Sequence, residues 1–211
     1  MSTATLTGST TGRPVRPLGI ACLAGGLIGA AQGVVLALWQ PQVGTEWYSY
    51  PLTPTGHVVA QVSFALQHLL LIAGLVALTR LPMISRNPAG RIGAAAAVAG
   101  MVLLTIQELV AITAKDVLAD SSRATLVSSL YGIPTILIGA GLIVAGVTAM
   151  RAEPALRRDP WLPGLVLATG VYVFVALTPS LMGSFVAARL GIIGWMLLFA
   201  ALGWRESARS A

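Results

Sequence analysis

The chain has 211 residues, of which 56% are hydrophobic and only 9% charged. A soluble domain carries about 25% charged residues, so this composition, with a mean hydropathy of +0.83, excludes a globular protein with a single anchor and points to a polytopic membrane protein. The basic pI of about 10.5 does not mark a nucleic-acid partner, because the arginines stand in short loops between apolar runs, where membrane orientation accounts for them.

Residues 1–16 form a Ser/Thr/Gly-rich tail with no apolar period through Gly12, a composition that favours disorder. The first apolar run, 17–39, is longer than the roughly 7–15 residues of a cleavable signal core, so it reads as a retained helix. Ala21, Gly25, Gly29 and Gly33 recur on one face of it. Such a small-residue ridge lets a neighbouring helix approach closely, and it reads as internal packing ahead of dimerisation. Lone Cys22 excludes an internal disulfide and a Cys-based metal pair.

Residues 40–56 form a loop rich in Pro and Gly that carries Trp47, Tyr48 and Tyr50. Aromatic rings of this kind favour the headgroup level. The loop is expected to be an interfacial anchor, with a lid over a cavity as the alternative. The second span is 57–79, with Gln61, Gln67 and His68 inside it. A tight polar loop, 80–91, leads to the third span, 92–113. A charged loop, 114–124, precedes the fourth span, 125–150, in which Pro134 removes a backbone donor. Gly141, Ala145 and Ala149 give that span its own small-residue ridge. The fifth span, 161–177, lies near the short limit for a bilayer helix. Thr178-Pro179-Ser180 and Gly183 read as a turn before the sixth span, 184–204. Residues 205–211 read as a polar tail.

The fold class that follows is all-α, a single domain, 17–204, built as a bundle of six transmembrane helices. Arg13, Arg16, Arg80, Arg86, Arg91, Arg151, Arg157, Arg158, Arg205 and Arg209 fall on one side of it, against Lys115 and Arg123 on the other. The positive-inside bias places both termini in the cytoplasm. Lys115 is the single lysine, and the abundance of Arg, Ala and Gly suggests a high-GC bacterium, hence a bacterial inner membrane.

Glu108 is the only carboxylate that this reading places inside a span, and Arg189 the only intramembrane base. A charge in hydrocarbon costs at least about 2.5–3.5 kcal/mol and faces a partner or a cavity. At a helix rise of about 1.5 Å per residue, Glu108 and Arg189 both lie roughly 8 Å below the outer boundary. Gln32, Gln61, Gln107 and Tyr131 share that layer, and His68 lies deeper on the face of Gln61. Two readings stand side by side. One is a polar cavity open to the outer side. The other is a Glu108–Arg189 pair that fixes helix register, with glutamines bonding across helices.

Several chemistries lack their residues. No His-x-x-x-His or Cys-x-x-Cys is present for a transition metal. No Gly-Lys-Ser/Thr loop is present for nucleotide phosphates, and no span holds a lysine for a retinal Schiff base. No cofactor is therefore expected. The leading functional reading is a non-enzymatic protein that binds a small molecule or lipid, as transporter or sensor, through Glu108, Arg189, Gln61, Gln107, Tyr131, His68 and Gln32. A second is a partner subunit of a membrane complex, using the glycine ridges as contacts. A third is an intramembrane lipid-modifying enzyme acting through His68 and Glu108.

Overall fold

Each long apolar run begins at residues suited to start a helix. Pro54 and Pro88 stand in the first turn, where a missing N–H leaves no broken bond. The donors that remain exposed there are capped by side chains. Thr53 Oγ1 accepts from Gly56 N at 3.1 Å, Asn87 Oδ1 from Ala89 N at 2.9 Å, and Ser121 Oγ from Ala124 N at 3.2 Å.

A computed structural model describes residues 16–157 and 159–208. The N-terminal tail, except Arg16, and the last three residues lie outside that description. The helices are α1 (Arg16–Ala37), α2 (Pro54–Thr79), α3 (Pro82–Ser85), α4 (Pro88–Ala111), α5 (Ser122–Leu130), α6 (Gly132–Arg151), α7 (Trp161–Tyr172), α8 (Thr178–Leu181) and α9 (Phe185–Ala208). There is no strand among the described residues, and a lone antiparallel bridge joins Trp47 to Leu118. Six segments are long and apolar enough to cross a bilayer. They are α1, α2, α4 with its 3-10 extension to Ala114, α5–α6, Trp161–Leu181, and α9.

These six spans close into a ring. In order, α1 packs on α2, α2 on α4, α4 on α6, α6 on α7, and α7 on α9, which returns to α1. The outer surface is apolar: Leu38 is 78% exposed, Ile92 70% and Val175 71%. Exposed apolar faces all around a helical bundle suit lipid as solvent, and the chain is a multi-pass integral membrane protein. Trp161 and Trp204 are exposed at one end of the bundle, Trp39 and Trp47 at the other, as interfacial tryptophans are.

Both small-residue ridges are used inside the ring. On α1, a Cβ added at Gly29 of the ridge would meet Met196 Sδ at 2.6 Å, and one at Gly26, beside the ridge, would meet the Ala200 backbone nitrogen. Gly141 lies so close to α4 that its added Cβ would meet Gly93 O at 2.5 Å. Backbone contact of this kind sets α1 against α9 and α4 against α6.

Three local features depart from the sequence reading, and a fourth, the break in the fourth span, is the effect expected of Pro134. Helix α2 begins at Pro54, about one turn before residue 57, so His57 is buried within the first turn of the helix. The ladder of the fourth span breaks at Tyr131, between α5 and α6. Pro134 is the cause, since it offers no N–H to the carbonyl of Leu130. The fifth span does not end at Leu177. It widens into a π-turn over Val173–Leu177 and continues as α8. The wider turn makes room for the Pro179 ring, and Thr178 Oγ1 donates to the Val173 carbonyl at 2.7 Å. Finally, α9 runs on to Ala208, and Glu206 is fully buried rather than part of a polar tail. Its stem packs against Gly19 of α1.

Candidate functional site

The chain connections between spans at one end of the ring fold over it. We refer to this as the loop end. Residues 40–53 and 115–121 lie there and are stitched together by backbone bonds. Tyr48 N donates to Val117 O at 3.0 Å, and Ala119 N to Glu46 O at 2.7 Å. The aromatic segment turns inward as a result. Ser49, Pro51 and Leu52 are buried, Tyr48 and Tyr50 half-buried, and only Trp47 of the three rings stays exposed. Tyr48 meets the His57 ring edge to face at 5.6 Å, and Tyr50 meets Phe185 in the same way at 5.5 Å.

Beneath this cap lies a cavity of about 430 Å³. Every span contributes to its wall: Gln32 from α1, Gln61 and His68 from α2, Glu108 from α4, Ser128 and Thr135 from α5 and α6, Leu177 and Leu181 from the fifth span, and Arg189 from α9. Tyr131, at the break between α5 and α6, lines it as well. Tyr48, Ser49, Tyr50, Pro51 and Leu52 form its roof. Its deeper wall is largely apolar, with Phe64, Leu104, Ile192, Trp195 and Met196.

Six of the residues singled out from the sequence thus share one cavity: Gln32, Gln61, His68, Glu108, Tyr131 and Arg189. Gln107 is not in its wall. One residue before Glu108 on the same helix, it is turned aside by about 100°, and its Nε2 donates to the Val127 carbonyl of α5 at 2.7 Å. His57, Gln67, Tyr48, Ser49 and Trp195 line the cavity without having been placed there. Of these, Gln67 is engaged in packing: its Nε2 donates to the Gly25 carbonyl at 2.8 Å and lies 3.3 Å from Met196 Sδ.

Glu108 accepts a hydrogen bond from the Tyr131 hydroxyl on Oε2 at 2.9 Å. Arg189 lies over the Phe185 ring, its guanidinium carbon 4.7 Å from the centroid, a cation–π contact. The two charges face the same cavity, yet no ion pair joins them; among the described residues the ion pairs are Lys115–Asp116 and Arg205–Asp159. The register-fixing pair is therefore not formed. In the roof, burial holds the Tyr48 phenol above its ordinary value, and the charge of Glu108 adds to this while the Ser128 hydrogen bond works against it.

The wall is also rich in polar atoms without partners. Gln32 Oε1, Ser49 Oγ, His57 Nε2, His68 Nδ1, Arg189 Nε and Trp195 Nε1 are all buried and make no hydrogen bond among the described residues. Among the described residues no group of His, Cys, Asp or Glu is arranged to hold a metal ion.

The fold and cavity define a six-span integral membrane protein with a polar, roofed chamber at one end of its helix ring. No family model, curated protein or solved structure matches the chain.

Proposed function

We propose that this protein binds a small molecule or lipid headgroup in the chamber between its six spans, as a transporter or sensor. The observation that carries the reading is the cluster of unpartnered polar atoms in the chamber wall. Roughly 90% or more of buried polar groups are hydrogen-bonded, and a buried group left unsatisfied costs about 1–3 kcal/mol. The residues that carry these six groups all line one space, as the wall of a site for a polar occupant would. The volume also falls in the roughly 300–1,000 Å³ range of small-molecule sites.

The charge of the loops supports an orientation. The loop end carries Lys115 and Arg123, whereas the opposite end carries Arg80, Arg86, Arg91, Arg151, Arg157 and Arg205. Positive-inside bias then turns the chamber outward and both termini to the cytoplasm of a bacterial inner membrane. Two further arguments favour a binding protein over a partner subunit. The glycine ridges that would serve as contacts are spent on α1–α9 and α4–α6 packing. Glu108 and Arg189 line the chamber, not the lipid face.

Extraction of co-purifying molecules tests the proposal. Protein purified in mild detergent is denatured, and the released small molecules are compared by mass spectrometry between wild type and the Glu108→Gln, Arg189→Gln double variant. A species enriched with the wild type and lost with the variant is expected. Identical extracts from two equally folded proteins contradict the proposal.

A further inference from the structure

We infer that the chamber selects a small zwitterion, with its ammonium group at Glu108 and its anionic group at Arg189; this rests on the chamber being a binding site. Glu108 is 7% exposed and, among the described residues, its hydrogen-bond partner is the neutral Tyr131 hydroxyl. Arg189 offers a buried Nε with no acceptor, and its flat face is taken by Phe185. The two come from α4 and α9, which are not neighbours in the ring, and both line the space between.

The ligand class follows from what each alternative leaves unanswered. A neutral occupant leaves both charges desolvated and unpaired. An anion answers Arg189 but brings its own charge toward Glu108. A cation does the reverse. A zwitterion answers both and adds no net charge to a low-dielectric site. The apolar floor of Phe64, Leu104, Ile192 and Met196 then accommodates a short hydrocarbon body. An amine paired with a carboxylate or phosphate on such a body describes a free amino acid with an apolar side chain, and equally an aminophospholipid headgroup. The shared chemistry is the ammonium–anion pair.

Thermal stability of the full chain in detergent, near neutral pH, reads the preference. The probes are leucine (zwitterion), leucinamide (cation) and 4-methylpentanoate (anion), which share one hydrocarbon body. Dihexanoyl phosphatidylethanolamine and dihexanoyl phosphatidylglycerol, a zwitterionic and an anionic short-chain lipid, form the second arm. A zwitterion is expected to raise the Tm at concentrations at least about tenfold below its singly charged analogues. Response to leucine alone identifies a free solute, and response to the phosphatidylethanolamine alone a lipid headgroup. Glu108→Gln is expected to abolish the advantage over the anion, and Arg189→Gln the advantage over the cation. Should those variants fold poorly, Glu108→Asp and Arg189→Lys retain the charges and are expected to weaken binding without changing the order of preference. A singly charged probe as effective as the zwitterion overturns the inference and leaves the chamber a binding site. No response to any probe, with no species released on extraction, overturns both.

Discussion

Tyr131 donates its hydroxyl to Glu108 Oε2 at 2.9 Å, across the contact between α4 and the break in the fourth span. Tyr131 stands at the break that Pro134 imposes, so a helix-breaking residue lies beside a polar site. Removing the hydroxyl strands a buried carboxyl oxygen, at a cost of roughly 1–3 kcal/mol. Tyr131→Phe is expected to lower the Tm in detergent by several degrees. Unchanged stability would show that water satisfies Glu108 without Tyr131.

Glu108 and Arg189 line the same chamber without an ion pair between them. Breaking a directly bonded buried pair costs about 3–5 kcal/mol for each single removal, and removing both partners recovers much of it. Here neither removal strands a bonded partner. Glu108→Gln and Arg189→Gln are each expected to cost less than that, and the Glu108→Leu, Arg189→Met double variant is expected to show little rescue. A strong rescue in a double-mutant cycle of Tm or unfolding free energy would reveal a direct pair.

Close backbone approach should matter more to the ring than its interhelical hydrogen bonds. A methyl group at Gly26 meets the backbone of Ala200, which only a shift of α9 can relieve. Overpacking of this kind costs about 1–3 kcal/mol. Interhelical hydrogen bonds between membrane helices average about 0.6 kcal/mol. Gly26→Ala is therefore expected to lower the Tm more than Gln67→Leu, although Gln67 makes a 2.8 Å bond to Gly25. The reverse order would mean that α1 is free to move away from α9.

Tyr48 supplies a pH test of the roof. Its phenol is held above the ordinary tyrosine value of about 10 by burial. The folded state thus binds this proton more tightly than the unfolded chain. The stability it contributes is fully present below about pH 10 and is lost as pH rises through the raised folded value. Tyr48→Phe is expected to lose less stability than the wild type between about pH 9 and pH 11. Parallel pH profiles would place Tyr48 in solvent, outside the roof.

Much of the site could be read before the fold, and the misses have physical reasons. Counting helix rise put Glu108, Arg189, Gln32, Gln61 and Tyr131 at one depth, because the rise is fixed and the spans are antiparallel. Depth says nothing about direction, so the same count groups Gln107 with its neighbour although it faces α5. The apolar run places the start of the second span at residue 57, whereas the Thr53 cap and Pro54 move the helix boundary outward by a turn and bury His57. The Trp47–Tyr50 segment reads as an anchor by composition. Its inward turn depends on pairing with residues 117–119, some seventy positions away, which local sequence does not encode. Glu206 reads as tail because the apolar run ends at Trp204, whereas α9 extends past it to Ala208.

The central claim is that a chamber ringed by all six spans is reached by solutes from the outside. Cys22 is fully buried and is the sole native cysteine, so an introduced thiol reports alone. The direct measurement is labelling of Gln61→Cys by a small membrane-impermeant thiol reagent added to intact cells, against Leu71→Cys as control. Leu71 is fully buried on the same helix, ten residues deeper, or about 15 Å. The account predicts that position 61 is modified from outside and position 71 is not. Protection of position 61 equal to that of position 71, or modification only after the cells are permeabilised, would contradict it.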